Sequence, residues 1–422
     1  VKTGGPTRRN LLAAAALPFL GPALATTTNA APLRLRRGVN AWPWFSLTRE
    51  YPPPRTDYGW PAFQTGRPIP SRDDLARLRA AGFDFLRLPV DPGPFLATSG
   101  AQRVTLIADL MEAVAAILAA DLSVVVNVQA NAATHHWTPD RLYGSAQAPH
   151  WPAYRGFIGE LAGRLHATGS RRIALEPVNE PPQACGSAVW TALQDELLEA
   201  ARREAPNLTL VAGGACGGMI PGLVALDPTA LARFAPVLFT MHFYEPYLFS
   251  HQGAPWMREP VYRDLNSVPW PASAGSLDCT LAAVRARMDA DVATSATDKA
   301  EAYTITKAKL EQYFAAQPDR RFVTHHLSAV RDWAERHGIP PHAILMGEFG
   351  ALRSDARYVA AEPEDRARYV RDVREAAEAF GFGWAFWNLF DGMGLMDDVT
   401  RRLDPAIIAA LGLGVPMAEP VR

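Results

Sequence analysis

The 422-residue sequence predicts a (β/α)8 barrel of the TIM type with extended βα loops, and three observations carry that reading. Short apolar runs and amphipathic segments follow one another in strict succession, eight of the former and about eight of the latter. The apolar runs are continuous rather than alternating, as parallel strands covered on both faces must be. Polar residues collect at the C-terminal ends of those runs, the end at which such a barrel carries its chemistry. A doubly wound sheet, the competing fold, usually has fewer units and often a nucleotide fingerprint. Here "GGACGG" (213–218) lacks both G-x-G-x-x-G spacing and a P-loop lysine and reads as a glycine-rich loop.

The elements follow in order. "LRLRRGVNAW" is the first strand, and a hairpin near Pro52 to Pro70 is expected to cover one barrel end. "RDDLARLRAAG" is a helix: Ser71 caps it, Asp73 and Asp74 lie in its first turn, and Gly82 stops it. "FDFLRLPV" is strand two, "ADLMEAVAAILAAD" a helix, and "LSVVVNVQ" strand three. "WPAYRGFIGELAGRLHA" is a helix and "RIALEPVNE" strand four. "GSAVWTALQDELLEAARREA" is a helix and "LTLVAGG" strand five. "TALARFA" is a short helix and "VLFTMHFY" strand six. From Glu245 to about Thr304 runs a long polar stretch with a small helical piece near Ala282, long enough to be a lid or insertion. "THHLSAVRDWAERHG" is a helix starting near His325 and His326, and "HAILMGEFG" is strand seven. "DRARYVRDVREAAEAFG" is a helix, "GWAFWNLF" strand eight, and "DPAIIAALG" closes the chain.

Composition narrows the function classes. A formal charge of -1 and 20% charged residues give no strong field for nucleic acid or anionic membrane. Residues 1–30 read as a twin-arginine export signal: Arg8-Arg9, an apolar run from Leu11 to Leu20 too short to span a bilayer, and Ala23-Leu24-Ala25 as a cleavage-like site. The expectation is passage through the twin-arginine machinery to the periplasm or medium, no membrane span, a single catalytic domain over 31–422 with an insertion at about 245–304, and a monomer. Three cysteines allow one bridge; Cys185 and Cys216 follow two predicted strands and are either paired or two buried thiols, with Cys279 left over.

At the strand ends stand Arg87, Asn127 and Gln129, Asn179 and Glu180, His242 and Tyr244, Glu348, and Trp387 with Asn388. Glu180 ends a nearly apolar run and is followed by two prolines, a place where burial alone would not choose a charge. Glu180 and Glu348, on two strand ends facing across a barrel mouth, are the pair that glycoside hydrolysis needs: one protonated carboxyl and one carboxylate. The bland alternative is two structural acids, each paired with an arginine such as Arg87. Glu176 lies four residues before Glu180, on the same strand face by period two, and deeper; it reads as a hydrogen-bonded core acid.

"LEPVNEPP" resembles the strand-four Asn-Glu-Pro motif of the cellulase-like glycoside hydrolases of family five, and "MGEFG" resembles the strand-seven nucleophile motif of that family. "FLRLPV", "HFY" and "WAFWNL" resemble its strand-two, strand-six and strand-eight motifs, so the resemblance covers about residues 35 to 412. It implies a retaining β-glycosidase with Glu180 as acid/base and Glu348 as nucleophile. It implies that Asn179 binds the sugar 2-hydroxyl, that Arg87 holds Glu348 ionised with Tyr244 donating to it, that His242 orients or tunes Glu180, and that Trp387 floors the reacting-sugar subsite. Strand three departs from the pattern. The family places a histidine where this chain has Gln129, and His135 or His136 from the following loop are the residues available to substitute.

The implied substrate is a β-linked polysaccharide or oligosaccharide, foremost a β-glucan. Trp42, Trp44, Trp137, Trp256 and Trp270 are candidate sugar platforms, each with core or loop packing as its alternative. Neither an organic cofactor nor a metal is called for: the paired histidines at 135–136 and 325–326 lack further ligands of metal-site spacing. Two alternative functions stay open, a non-hydrolytic polysaccharide-binding protein on the same barrel and an exo-acting β-mannosidase or mannanase-type enzyme. A metal-dependent barrel hydrolase is a third, which metal dependence of activity would single out.

Overall fold

Runs such as "SVVVNV" and "ILMGEF" have no polar face to present to water, and they become the walls of a closed cylinder. The computed structural model describes Val1, residues 33–257 and residues 259–414. The export signal expected over residues 1–30 lies, Val1 apart, outside those residues. The barrel strands are β1 (Arg37–Asn40), β4 (Phe85–Val90), β5 (Ser123–Val128), β6 (Ile173–Glu176), β7 (Thr209–Gly213), β8 (Val237–Phe243), β9 (Ile344–Phe349) and β10 (Gly383–Phe386). They pair in parallel in the order β1-β10-β9-β8-β7-β6-β5-β4, and β4 returns to β1. The antiparallel hairpin is present, from β2 (Thr48–Glu50) and β3 (Tyr58–Phe63), within the connection that leaves the C-terminal end of β1.

The cylinder is filled in layers. Phe85, Val125, Ala174, Val211, Leu238, Leu345 and Ala385 close the N-terminal end, with Leu35 packed on them. Two residues further along the strands, Asn40, Arg87, Asn127, Glu176 and Thr240 form a buried polar layer. An apolar plug below and polar side chains above place the chemistry at the C-terminal mouth. The helices shield the outer face; that at Arg72–Ala81 has the expected Ser71 cap, completed by Asp74, and ends at Gly82 in a left-handed conformation.

Three expectations are corrected. The long stretch after β8 is not a polar loop with one small helical piece: it carries helices at Leu277–Ala290 and Ala296–Ala316, and the insertion runs to Ala316 rather than Thr304. The longer helix buries only Ala302, Thr306, Leu310 and Tyr313, a stripe too thin and too small to announce itself by periodicity. The helix expected to start near His325 begins at Arg320, because Asp319 accepts from the backbone of Arg321 and Phe322; His325 and His326 lie inside it. Finally, β6 stops at Glu176, so the two-residue period does not reach Glu180.

Among the described residues, no helix is long and apolar enough to cross a membrane. Cys185 and Cys216 are disulfide-bonded, which settles the open pairing, and Cys279 is free and exposed.

Candidate active site

Arg87 is the hub. It points inward from β4 and is 0% exposed, a position no guanidinium can hold without partners for its donors. Nε and Nη2 donate to Glu176 Oε2 and Oε1 at 2.7 and 2.9 Å. Nη1 donates to Glu348 Oε1 at 2.7 Å and to Asn40 Oδ1 at 2.9 Å; Nη2 also donates to Asn179 Oδ1 at 2.8 Å. Burial alone would draw the arginine's pKa down, but Glu176 and Glu348 more than restore it. Asn40 is held in turn by donating to the carbonyl of Gly347 at 2.9 Å.

Glu348 reaches the mouth through a register shift. β8 pairs Met241 with Met346 but His242 with Glu348, so Gly347 is the extra residue of a bulge, and the side chain after it turns inward. Only glycine fits there: a Cβ would lie 2.7 Å from Thr240 Oγ1 and 3.2 Å from His242 Nε2. Tyr244 donates its hydroxyl to Glu348 Oε2 at 2.9 Å. Burial pushes the Glu348 carboxyl upward, and the charges of His242 and Arg87 oppose that.

Glu180 is delivered differently. Beyond β6 the chain turns through Pro177 to Asn179, and Glu180 sits at φ 44°, in the left-handed region that costs a non-glycine residue about 1–2 kcal/mol. Its side chain is 41% exposed, and Oε1 lies 2.8 Å from His242 Nδ1. His242 Nε2 faces the Arg87 Nη2 donor at 3.4 Å. In the neutral ring the lone pair therefore belongs on Nε2, and Nδ1–H donates to Glu180 Oε1. That fixes one carboxylate oxygen and leaves the other for the cleft. Burial lowers the His242 pKa, but the Glu348 and Glu180 charges outweigh it and the net direction is up. Glycine 218, at φ 69°, lies against Glu180 and His242 from the loop that Cys216 ties to Cys185.

One ligand atom each from Glu180, His242 and Glu348 lies within 4.8 Å of the others. Such a trio has the span of a cation site, but Arg87 already holds a fixed positive charge against Glu348 and His242, and the oxygens nearest it are engaged in hydrogen bonds. The donor set fits two carboxyls held by hydrogen bonds better than a divalent ion.

The other expected residues divide. Trp387 and Trp42 are half-buried at the mouth with ring centroids 5.6 Å apart. Trp44, also half-buried, stacks on Phe45. Gln129 ends the β5 line, and its Oε1 is buried without a protein partner. Two aromatic expectations are corrected. Trp137 is buried between His136 and His150 and donates Nε1–H to the Thr56 carbonyl at 2.8 Å, so it ties the β5 loop to the hairpin rather than facing the cleft. Trp270 is fully buried against Phe249 and Tyr369. His135 bonds the hairpin through Glu50 and the Arg55 carbonyl, and the His136 ring packs on Trp137 and His150. Neither histidine joins the Arg87 network in place of the strand-three histidine. Asn40 was missed, although "GVNAW" places it one pleat past Gly38 on the inward face; so was Gly218, whose role appears only when β6 and β7 loops meet.

Known proteins share the barrel. The model of the family "Cellulase (glycosyl hydrolase family 5)" matches residues 52–392. Endoglucanase 3 of Fibrobacter succinogenes is 21% identical over 395 residues, covering 90% of this chain and 53% of that protein. The chain thus spans about half the length of that curated relative. Among solved structures, the cellulose synthase subunit Z of Clostridioides difficile aligns with a TM-score of 0.62 at 19% identity, over 90% of this chain and 99% of that one. Thermotoga maritima Cel5A in complex with cellobiose aligns with a TM-score of 0.63 at 20% identity, over 89% and 97%. With its barrel, its motifs and this match over most of its length, the chain belongs to glycosyl hydrolase family 5, the cellulase family.

Proposed function

We propose that this chain is a retaining β-glycoside hydrolase that cleaves a β-linked polysaccharide or oligosaccharide, a β-glucan before others, by double displacement on Glu348 and Glu180. The observation that carries the reading is the approach of the two carboxyl groups, with oxygens within 4.8 Å. Retaining enzymes hold theirs about 5–5.5 Å apart, whereas inverting enzymes need about 6.5–9.5 Å to admit a water.

Glu348, held by Arg87 and Tyr244, attacks the anomeric carbon as the bond to the leaving oxygen breaks. Glu180 gives that oxygen its proton from the carboxylate oxygen His242 does not hold. The same Glu180, now ionised, takes a proton from water, and the hydroxide formed displaces Glu348 from the sugar. Asn179 is placed to meet the 2-hydroxyl, its own carbonyl fixed by Arg87. Trp387 and Trp42 are the stacking surfaces for the reacting sugar and its neighbour.

The likeness to Endoglucanase 3 and to Cel5A in complex with cellobiose supports a β-glucan. Cel5A is also described with mannotriose, which favours a β-mannan as the second reading. The sequence of residues 1–30 supports export by the twin-arginine route, and the Cys185–Cys216 bridge suits an oxidising compartment; we propose a monomer of that location. The test is hydrolysis of gluco-, manno- and xylo-oligosaccharides by wild type, E180A and E348A. Turnover of one series by wild type and its loss in both variants is expected; binding without turnover by wild type would leave a polysaccharide-binding protein instead.

A further inference from the structure

Of the eleven tryptophans, the ones that reach solvent substantially are Trp42, Trp44, Trp60, Trp256 and Trp387, and all five lie in connections leaving the C-terminal ends of barrel strands. Trp42 and Trp387 belong to the mouth, Trp44 stacks on Phe45, and Trp60 belongs to the hairpin. Trp256 belongs to none of these. It comes from the insertion after β8 and is 51% exposed.

The ring is held rather than loose. It lies on Gly392, where a Cβ would come within 3.2 Å of Cη2, and Tyr358 meets it edge-on with centroids 6.1 Å apart. Three loops, after β8, β9 and β10, therefore converge to present one aromatic surface. Beside it stands a set of fixed polar groups. Tyr358 donates its hydroxyl to Asp391 Oδ1 at 3.2 Å, and Arg357 Nη1 bonds Asp391 at 2.9 Å and Asp398 at 3.0 Å. All three charged side chains remain part-exposed. A rigid indole flanked by anchored carboxylates and a guanidinium is the composition of a sugar subsite: an apolar face for ring C–H groups and bidentate partners for vicinal hydroxyls. It is also continuous with the catalytic site. Leu352, which touches the Gly392 position, packs in one cluster with Tyr244, and Tyr358 and Trp387 line the same cluster.

We propose that Trp256, with Asp391 and Arg357 beside it, forms an additional sugar-binding subsite built by the insertion, which engages a β-linked chain extending past the Trp387 subsite. The inference rests on the glycosidase reading and adds that substrate length is read at Trp256. The experiment compares wild type, W256A and W256Y on an aryl β-cellobioside and on cello-oligosaccharides of two to six sugars. It is paired with affinity electrophoresis of the same proteins in gels containing β-glucan. W256A is expected to lower kcat/KM on the longest oligosaccharide by about tenfold or more, through KM, while the aryl cellobioside is unaffected. W256Y should recover much of the loss, which separates stacking from damage to the fold. Equal kcat/KM for W256A and wild type at every length, or an equal loss at every length that W256Y does not recover, would overturn the subsite. If wild type cleaves none of these substrates, the glycosidase reading fails on its own; gel retardation lost in W256A would then still uphold the subsite, and retardation unchanged in W256A would refute it.

Discussion

Replacing Arg87 by Met removes the positive charge on which two buried carboxylates depend. The arginine makes three hydrogen bonds to Glu176 and Glu348 of 2.7 to 2.9 Å and two more to the side chains of Asn40 and Asn179. Breaking a buried ion pair by deleting one partner costs about 3–5 kcal/mol, because the remaining charge stays buried. Chemical unfolding of R87M should show a loss of that order. The catalytic consequence is separate. The Arg87 charge opposes the upward push of burial on the Glu348 carboxyl, so its removal lets that carboxyl rise further. The nucleophile must be ionised, so the acid limb of the pH–kcat/KM profile should move to higher pH. Below the new limb, activity falls about tenfold per unit. In the double variant R87M/E176Q one stranded charge is gone; part of the stability should return while the acid limb stays displaced. An acid limb unmoved in R87M would refute the assignment of Arg87 as the counter-charge of the nucleophile, whatever happened to stability.

Two other substitutions probe distinct parts of the account. Asp91 is buried, accepts from the Gly93 amide, leaves its second oxygen unpartnered, and is pushed up to about 7 by burial first. Its folded pKa is raised, so the native state holds a proton that the unfolded chain releases near pH 4. The stability this contributes is complete below pH 4 and declines up to about pH 7, by about 4 kcal/mol in total. D91N should abolish that decline, as read from the difference between wild-type and variant urea midpoints across the range; parallel profiles would contradict the assignment. Gly218 has φ 69°, and a Cβ there would lie 3.4 Å from Glu180 Cγ and 3.6 Å from His242 Nδ1. Those are ordinary contacts, so the strain of alanine lies in the left-handed φ. G218A should shift the loop that supports Glu180 and reduce kcat by about tenfold with KM nearly unchanged, since a misplacement of about 1 Å can cost about 100-fold; a change in KM alone would place the loop in substrate binding.

How much of this was legible in the residues depended on the reach of each signal. The barrel was legible because eight continuous apolar runs leave few other folds, and Glu348 because "MGEFG" places a glutamate between glycines on one of them. Glu180 is legible as a charge that ends a nearly apolar run before two prolines, but the shared strand face expected for Glu176 and Glu180 is not there: β6 has ended at Glu176 and a left-handed turn before Pro181 delivers the side chain. The shorter insertion helix lies where a small helical piece near Ala282 is expected; the longer one has no such signal, because of its 21 residues only Ala302, Thr306, Leu310 and Tyr313 are buried. Trp137 and Trp270 look like Trp42 in sequence; only packing tells a ring that anchors a loop from one that faces a cleft. The inward position of Asn40 is legible from strand period two, but its bonds to Arg87 and Gly347, like the contact of Gly218 with Glu180 and His242, join residues far apart in the chain.

The central claim is that Glu348 and Glu180 perform a double displacement. Proton NMR of the first product formed from a β-linked oligosaccharide, recorded before mutarotation, tests it most directly. The account predicts that the β-anomer appears first and that E348A forms none. Initial release of the α-anomer would mean that a water, not Glu348, attacks the sugar, and would contradict the reading of the two carboxyl groups.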